Sequence, residues 1–218
     1  MNPTSPAASR QQHADDIVDE LANGQPAVID QFLSSDLCQR LRGEIQQLDW
    51  RDMPRAGVGR GEDYQHQQSE RSDHIRWLRG NSTAQCQFLA QMEGLRAAIN
   101  QQLFMGLFEY EAHFALYQPG AFYKKHLDAF KGRRNRIVST VCYLNEHWHS
   151  DDAGELVIYR ADQHALEHQR ILPQAGRLVV FSSEDYPHEV LPSHRERYSI
   201  AGWFRLNTSR AHRIDPPR

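Results

Sequence analysis

The second half of the chain consists of short runs with a period of two, separated by turn residues. Tyr110, Ala112, Phe114 and Leu116 set this period, which is typical of strands with one buried face. Further strand-like runs occupy residues 122–127, 136–144, 155–159, 177–181 and 198–204. Turn signals separate them at Pro119-Gly120, Lys131-Gly132, Ala153-Gly154 and residues 173–176. Many short strands of this kind predict a sandwich or a jelly roll.

The first half of the chain has helical spacing instead. Ile17, Val18 and Leu21 predict a short helix that begins near Asp15 and ends at Asn23-Gly24. Two further helices are predicted. The first begins at Ser34 or Ser35 and has on one face Leu37, Leu41, Ile45 and Leu48. The second begins at Ser82 or Thr83 and has on one face Phe88, Leu89, Met92, Leu95, Ile99 and Leu103. Short strands are expected at residues 26–29 and 75–78. Helices followed by many strands favour the α+β class.

The length of 218 residues is sufficient for one domain with its own core. We predict a disordered N-terminus over residues 1–13, a single domain over 14–207 and a flexible tail over 208–218. Within the domain, residues 14–107 would form the helical support and residues 108–207 the jelly-roll core. Residues 51–71, rich in Gly, Arg, Gln and acidic side chains, are expected to form a mobile loop, and loops of such length tend to be functional.

The charge and cysteine content exclude several classes of function. The formal net charge is -3, so no global basic field attracts nucleic acid or an anionic membrane. No apolar run approaches the length of a membrane span. The three cysteines are widely spaced and form no CxxC pair, which argues against a disulfide framework. We therefore expect a cytoplasmic protein that binds neither nucleic acid nor a membrane.

A histidine and an aspartate two residues apart form a candidate metal-binding pair. Because side chains alternate along a strand, His126 and Asp128 would point to the same face, with Leu127 on the other. A third ligand must come from a distant strand, and His188 is the candidate. Two histidines and one carboxylate leave open positions on an octahedral metal, as in non-haem Fe(II) oxygenases. The sequence therefore predicts an Fe(II) site.

A second pair with the same spacing is an alternative. His149 and Asp151 also stand two residues apart, and a chain with twelve histidines contains such pairs by chance. They lie in a polar stretch, residues 147–152, that has the composition of a turn rather than a strand. We interpret this stretch as a solvated loop and favour His126 and Asp128.

An arginine near the third ligand suggests how an acidic co-substrate is bound. Arg197 follows His188 by nine residues, at the start of the last strand-like run. A guanidinium is always charged and binds a carboxylate through two parallel hydrogen bonds. Arg197 could thus hold the distal carboxylate of 2-oxoglutarate while the keto acid end chelates iron. Tyr143, on a neighbouring predicted strand, could add a hydroxyl to the same carboxylate.

Residues 117–204 resemble the prolyl hydroxylase domain of the 2-oxoglutarate and Fe(II)-dependent oxygenases. The likeness is to the enzymes that hydroxylate hypoxia-inducible factor in animals and to bacterial relatives that act on elongation factor Tu. The segments that carry it are residues 117–120, 126–128, 143–145, 154–156, 177–181, 187–190 and 197–203. The collagen-type prolyl hydroxylases are similar but typically have a lysine where this chain has Arg197. The animal enzymes often have a threonine at the position of Ala201, so one hydroxyl contact to the co-substrate is expected to be absent.

The resemblance implies a double-stranded β-helix, a cupin-like jelly roll, with supporting N-terminal helices. It implies His126, Asp128 and His188 as iron ligands, with Arg197 and Tyr143 binding 2-oxoglutarate. Tyr117 and Trp203 would line the pocket. Fe(II) is the implied cofactor, 2-oxoglutarate and O2 are the co-substrates, and ascorbate is an expected reductant. The implied reaction hydroxylates a prolyl residue at the 4-position and releases succinate and CO2.

The resemblance also suggests how the substrate is bound. The loop 51–71, followed by Asp73 and Trp77, looks like the loop that closes over the peptide in this group, and Arg136 is expected to contact substrate. The partner would be a protein with a target proline, with elongation factor Tu expected if the source is bacterial. An oxygen-sensing role is a further expectation by analogy with the animal relatives.

Three other functions stay open on sequence grounds. The first is an oxygenase that acts on a small molecule or on another residue type, with the loop as a lid. The second is a nucleic-acid demethylase, which shares the iron ligands but is disfavoured by the acidic balance. The third is a non-catalytic jelly roll, which would be expected to lack the ligands or Arg197.

Overall fold

Three α-helices and ten β-strands form the part of the chain that the computed structural model describes, residues 6–54, 70–129 and 135–207. The helices are α1 (Pro6–Ala22), α2 (Ser35–Gln46) and α3 (Thr83–Leu103). The strands are β1 (Ala27–Ile29), β2 (His74–Trp77), β3 (Glu109–Tyr117), β4 (Tyr123–His126), β5 (Arg136–Tyr143), β6 (Leu156–Tyr159), β7 (Glu167–Ile171), β8 (Leu178–Ser182), β9 (His188–Val190) and β10 (Arg197–Arg205). Short 3-10 helices occupy Trp50–Asp52 and Ser150–Asp152.

The strands form two antiparallel sheets, as the predicted jelly roll requires. The major sheet has the order β1-β8-β5-β10-β3-β2, and the minor sheet has the order β4-β9-β6-β7. Most neighbours in each sheet are not consecutive in the chain, because the chain passes back and forth between the sheets; the exceptions are β2 with β3 and β6 with β7. The expected α+β class with a double-stranded β-helix core is confirmed.

Two apolar layers flank the major sheet. One, between the helices and the sheet, contains Phe88, Met92 and Ile99 of α3 together with Phe114 and Ile200. The other, between the two sheets, contains Tyr117, Tyr143 and Phe181 of the major sheet with Leu156, Ile158 and Val190 of the minor sheet. Since side chains alternate along a strand, odd-numbered residues of β3, β5, β8 and β10 face the minor sheet. That face carries the candidate site.

The helices begin where the sequence predicted caps for α2 and α3. The Ser34 hydroxyl accepts a hydrogen bond from the Leu37 amide, and the Ser82 hydroxyl accepts one from the Gln85 amide. The apolar faces that the sequence predicts for α2 and α3 are buried, apart from the partly buried Leu48, Leu89 and Leu103. These faces pack on the major sheet and support it from behind.

The predicted disorder over residues 1–13 is wrong for the described residues 6–13. Helix α1 begins at Pro6 and includes this segment. Proline suits the first turn of a helix because it lacks an amide hydrogen that would stay unpaired there, and Ala, Arg and Gln are strong helix formers. His13 also packs against Phe32, with ring centroids 6.1 Å apart. Residues 1–5 and the predicted tail, 208–218, lie outside the described residues.

The boundary between helical support and strand core is less sharp than predicted. Strand β1 pairs with β8 and β2 pairs with β3, so the first half of the chain supplies both edge strands of the major sheet. Strand β7 was not predicted, because four of its five residues are exposed and none of these four is apolar. Among the described residues, no helix has the length and apolar character needed to cross a membrane.

Candidate metal and co-substrate site

The two histidines and the aspartate singled out in the sequence meet between the sheets. One ligand atom each from His126, Asp128 and His188 lies within 4.8 Å of the other two. The Nε2 atoms of His126 and His188 are each 3.6 Å from a carboxylate oxygen of Asp128. Asp128 and His188 are buried, and His126 is partly exposed. Within the described residues this is the only group with metal-binding geometry.

The minor sheet brings the two histidines together by strand pairing. His126 at the end of β4 lies directly opposite His188 at the start of β9. The pairing shifts register between Tyr123 and His126, which is the mark of a β-bulge. Asp128 lies beyond the end of β4, in a bend. The expectation that one regular strand carries both His126 and Asp128 is therefore wrong, since a bulge and a bend aim these side chains.

Backbone carbonyls fix the orientation of both imidazoles. Nδ1 of His126 is 2.7 Å from the carbonyl oxygen of Lys124, and Nδ1 of His188 is 3.1 Å from that of Tyr186. A carbonyl only accepts hydrogen bonds, so each Nδ1 donates its proton and Nε2 is left with a free lone pair. Burial and the neighbouring His126 lower the pKa of His188 to about 4, although Asp128 opposes this. In both rings Nε2 is therefore the atom available to ligate a metal.

The buried Ser139 holds the Asp128 carboxylate and is itself bonded to Ser183, and the sequence analysis singled out neither serine. The Ser139 hydroxyl donates to Oδ2 of Asp128 over 2.7 Å, and the Ser183 hydroxyl lies 2.8 Å from that of Ser139. Burial disfavours the ionised form of Asp128. The attraction of His188 and His126 outweighs it and keeps the pKa of Asp128 well below its ordinary value. The carboxylate is thus ionised and oriented.

Arg197 lies in the same interior, on β10. It is 1% exposed, and its Nε donates to the carbonyl oxygen of Gly154 over 2.9 Å. Its guanidinium carbon is 5.0 Å from the ring centroid of Tyr117 and 5.1 Å from that of Tyr143. These contacts fix the side chain and leave part of the guanidinium available.

Two polar atoms in this pocket have no hydrogen-bond partner. They are Nη2 of Arg197 and the hydroxyl of Tyr143, both buried. Burial raises the pKa of Tyr143 to about 12, so the hydroxyl stays protonated as a donor. Unsatisfied buried donors are costly, and two of them side by side suit a carboxylate ligand. The residues present therefore fit 2-oxoglutarate, just as the two histidines and Asp128 fit Fe(II).

An aromatic wall continues from this pocket along the major sheet. Trp203 on β10 stacks under Arg136, whose guanidinium carbon is 3.6 Å from the indole centroid. Arg136 also donates to Glu111 over 2.8 and 3.0 Å. The buried ring of His113 packs against both Trp203 and Trp77, with centroids 5.5 and 5.1 Å away, and the two indole centroids are 6.5 Å apart. The structure thus brings Trp203, Arg136 and Trp77 together, and it adds His113, which the sequence did not single out.

Asp73 takes a different place from the one expected of a substrate-binding residue. It is fully buried, and both its carboxylate oxygens accept hydrogen bonds from Arg71, over 2.8 and 2.7 Å. Most of the predicted loop 51–71 lies outside the described residues. The alternative pair, His149 and Asp151, is exposed at the 3-10 helix and takes no part in the metal-binding group.

The comparisons with known proteins agree with this geometry. The family model of the 2OG-Fe(II) oxygenase superfamily matches residues 112–205. A crystal structure of a Pseudomonas putida prolyl-4-hydroxylase is 44% identical, with a TM-score of 0.79, covering 89% of this chain and 98% of that one. A Trichoplax adhaerens prolyl hydroxylase, solved with a hypoxia-inducible factor peptide, is 24% identical with a TM-score of 0.80 over 94% of each chain, and it supports the fold.

One curated relative is a much longer protein, and this chain matches only part of it. The hypoxia-inducible factor prolyl hydroxylase of Caenorhabditis elegans is 32% identical over 192 residues. The match covers 82% of this chain but 26% of that protein. The chain therefore spans about a quarter of the length of this relative.

Proposed function

Because the chain belongs to the prolyl hydroxylases of the 2OG-Fe(II) oxygenase superfamily, we propose that it hydroxylates a prolyl residue of a protein at the 4-position. The reaction consumes 2-oxoglutarate and O2 and releases succinate and CO2. One oxygen atom enters the new hydroxyl group and the other enters succinate. The observation that carries the proposal is the pair of unpartnered buried donors, Arg197 Nη2 and Tyr143 OH, in the cleft that holds the metal ligands.

The iron site would be formed by His126, Asp128 and His188. Bound Fe(II) supplies the activation of O2 that side chains cannot provide. The chain contributes the Nε2 atoms of two imidazoles and one ionised carboxylate, oriented by Lys124 O, Tyr186 O and Ser139. Three protein ligands leave positions for a bidentate co-substrate and O2.

The co-substrate would be anchored on the major sheet. Arg197 donates from Nη2 to the distal carboxylate, and the Tyr143 hydroxyl donates to the same group. The carbonyl of Gly154 holds Nε of Arg197, so the guanidinium is oriented before the ligand arrives. Tyr117 covers one face of the guanidinium and excludes water from it.

The wall formed by Trp203, Arg136 and Trp77 is where we place the substrate. Arg136 covers a face of the Trp203 indole and is held there by Glu111, so the wall combines aromatic surface for an apolar proline ring with a guanidinium beside it. Hydrogen-bond donors beside this face can orient the peptide carbonyls around the proline. Asp73 is assigned no substrate contact, since Arg71 occupies its carboxylate.

For the partner, we propose a protein with an exposed proline, and elongation factor Tu where the source is bacterial. The likeness of the site motifs to enzymes of that specificity is the support. An oxygen-sensing role, ascorbate as reductant and a cytoplasmic location belong to the same proposal. An oxygenase acting on a small molecule or another residue is the rival outcome of the test.

The first test is anaerobic titration with Fe(II) and 2-oxoglutarate, followed by the visible charge-transfer band. The wild type should develop the band and His188→Ala should not. In Arg197→Ala the dissociation constant for 2-oxoglutarate should rise roughly 30-fold or more, because losing one partner of a buried charge pair costs about 2 to 5 kcal/mol. Arg195→Ala is the matched control, since Arg195 lies two residues away but packs on Trp148 outside the pocket. A wild type without the band, at full metal loading, would overturn the proposal.

The second test addresses the substrate. Elongation factor Tu and proline-containing peptides should stimulate succinate formation, and mass spectrometry should place one added oxygen on proline. Oxygen on another residue, or stimulation by small molecules only, would favour the rival.

A further inference from the structure

Three side chains form a continuous stack that ends on an iron ligand. The rings of Tyr123 and His126 are stacked, with centroids 3.5 Å apart and an interplanar angle of 14°. On Tyr123 lies the guanidinium of Arg71, 4.2 Å from the ring centroid. In a regular strand residues 123 and 126 would face opposite sides, so this contact depends on the bulge in β4.

Arg71 is itself fixed from behind. Asp73 binds it through both carboxylate oxygens, and Asp73 is fully buried. A planar guanidinium held in this way can present its flat face to Tyr123, which an ammonium could not do. The Arg71 and Asp73 pair is neutral overall, so its effect on the metal site is geometric more than electrostatic.

The backbone adds a second connection between the two segments. The Lys124 amide donates to Glu70 O over 2.8 Å, the Ser72 amide donates to Phe122 O over 3.0 Å, and Arg71 forms an isolated bridge with Tyr123. Residues 70–72 therefore run beside β4 like a short added strand. Any displacement of these residues is transmitted to the strand that carries His126.

We propose that Arg71, Asp73 and Tyr123 are positioning residues that hold the His126 imidazole in the orientation needed for metal binding. Rotation of the ring is limited on one side by the Tyr123 face and at Nδ1 by Lys124 O. His126 needs this support more than His188 does, because it is the more exposed of the two histidines. The inference rests on the proposed role of His126 as an iron ligand.

The test is the affinity for Mn(II), a redox-inert probe, measured by calorimetry on the apoprotein. In Tyr123→Leu the dissociation constant should rise about 10- to 100-fold, as for other residues that orient metal ligands. Tyr123→Phe keeps the stacked ring and should bind nearly as the wild type does. Arg71→Lys should resemble Tyr123→Leu in direction, because a lysine cannot form the planar stack or the paired hydrogen bonds.

Lys125→Ala is the matched control. It removes an exposed side chain next to His126 in the sequence, together with its contacts to the carbonyl of His164 and the ring of Tyr159, which lie outside the stack. Its Mn(II) affinity should be that of the wild type. At saturating Mn(II), the affinity of Tyr123→Leu for 2-oxoglutarate should also be unchanged. General unfolding would instead weaken the binding of both Mn(II) and 2-oxoglutarate.

The outcomes distinguish the two proposals. If the wild type and His188→Ala bind Mn(II) equally weakly, the proposed metal site fails and this inference fails with it. If His188→Ala abolishes binding but folded Tyr123→Leu binds as the wild type does, the metal site stands and the positioning role is overturned.

Discussion

Ser139 orients the Asp128 carboxylate in the candidate metal site. Its single hydroxyl hydrogen is donated to Oδ2 of Asp128, so its oxygen accepts from Ser183. In Ser139→Ala we expect Mn(II) to bind about 10- to 100-fold more weakly, because the carboxylate loses the group that orients it. Ser139→Thr keeps the hydroxyl and should restore affinity, which calorimetry on the folded apoproteins would show. Unchanged affinity in Ser139→Ala would limit the hydrogen bond to a role in folding.

Asp73 gives stability a dependence on pH. Burial disfavours its ionised form, but the Arg71 charge outweighs this and lowers its pKa below the ordinary 3.8. A depressed native pKa stabilises the fold above the unfolded pKa, and this contribution is lost as pH falls through the native pKa. At pH 7, Asp73→Asn should be less stable by about 3 to 5 kcal/mol, because one partner of a buried ion pair is removed. The difference in stability between the wild type and Asp73→Asn should become smaller below about pH 4.

Thermal melts of the apoproteins from pH 7 to pH 3 would measure this effect. Arg160 and Asp162 provide a control with the same spacing and the same paired hydrogen bonds, but they are exposed. Asp162→Asn should change stability little at any pH, since exposed ion pairs contribute little to stability. A loss in Asp73→Asn that does not vary with pH would contradict the explanation.

Residue types and spacing were enough to predict the residues that meet in the site, but not those that orient them. His126, Asp128, His188, Arg197 and Tyr143 have side chains whose chemistry suggests a ligand. Ser139 and Ser183 do not, because a serine in a strand is common, and only the fold reveals its partner. Asp73 was expected to contact the substrate, because the sequence does not show that both its carboxylate oxygens accept hydrogen bonds from Arg71.

At the scale of elements, a single glycine connects the 3-10 helix to β6 and supports Arg197. Gly154 has a φ of +75°, and a Cβ there would lie 2.7 Å from Cβ of Ser193 and 3.4 Å from Cδ of Arg197. Its carbonyl accepts the hydrogen bond from Nε of Arg197. A Cβ at this position would therefore force Ser193 or the backbone of Gly154 to shift, and the carbonyl that holds Arg197 would move with that backbone.

Gly154→Ala should weaken 2-oxoglutarate binding and lower the melting temperature. Overpacking typically costs about 1 to 3 kcal/mol, in addition to the strain of a positive φ. Gly120→Ala is the matched control, because Gly120 has a φ of +79° but no atom within 4 Å of the position that a Cβ would take. Gly120→Ala should lower the melting temperature only through the strain of the positive φ, and its affinity for 2-oxoglutarate should be unchanged. Equal affinities in the two variants would mean that Gly154 does not position Arg197.

The elements themselves were predictable to different degrees for physical reasons. Long amphipathic helices and the buried strands β3, β5, β8 and β10 have strong periodicity. Strand β9 has three residues and β7 has four exposed ones, so neither has a pattern that local sequence can reveal. The bulge in β4 is set by pairing with β9, a long-range contact. Sequence spacing therefore identified the three residues that lie together in the candidate metal site, but it placed Asp128 on a regular strand instead of in the bend after β4.

At the scale of the whole molecule, the site is divided between the two sheets. His126 and His188 belong to the minor sheet, whereas Tyr143 and Arg197 belong to the major sheet. A ligand that chelates the metal and also pairs with Arg197 would connect the sheets through contacts that the unfolded chain lacks. Binding to the native state alone stabilises it by about 2.7 kcal/mol at a ligand concentration of 100 times the dissociation constant.

We therefore expect Mn(II) and 2-oxoglutarate to stabilise the protein more strongly together than either does alone. For a chain of this size, 1 kcal/mol corresponds to about 2 to 4 °C in melting temperature, so saturating 2-oxoglutarate added to the Mn(II) form should raise it by roughly 5 to 10 °C. Arg197→Ala should keep the increment from Mn(II) and lose most of that from 2-oxoglutarate. His188→Ala should lose both, because the co-substrate then lacks the metal that it chelates. Equal increments from 2-oxoglutarate with and without Mn(II) would show that the co-substrate does not bridge the sheets through the metal.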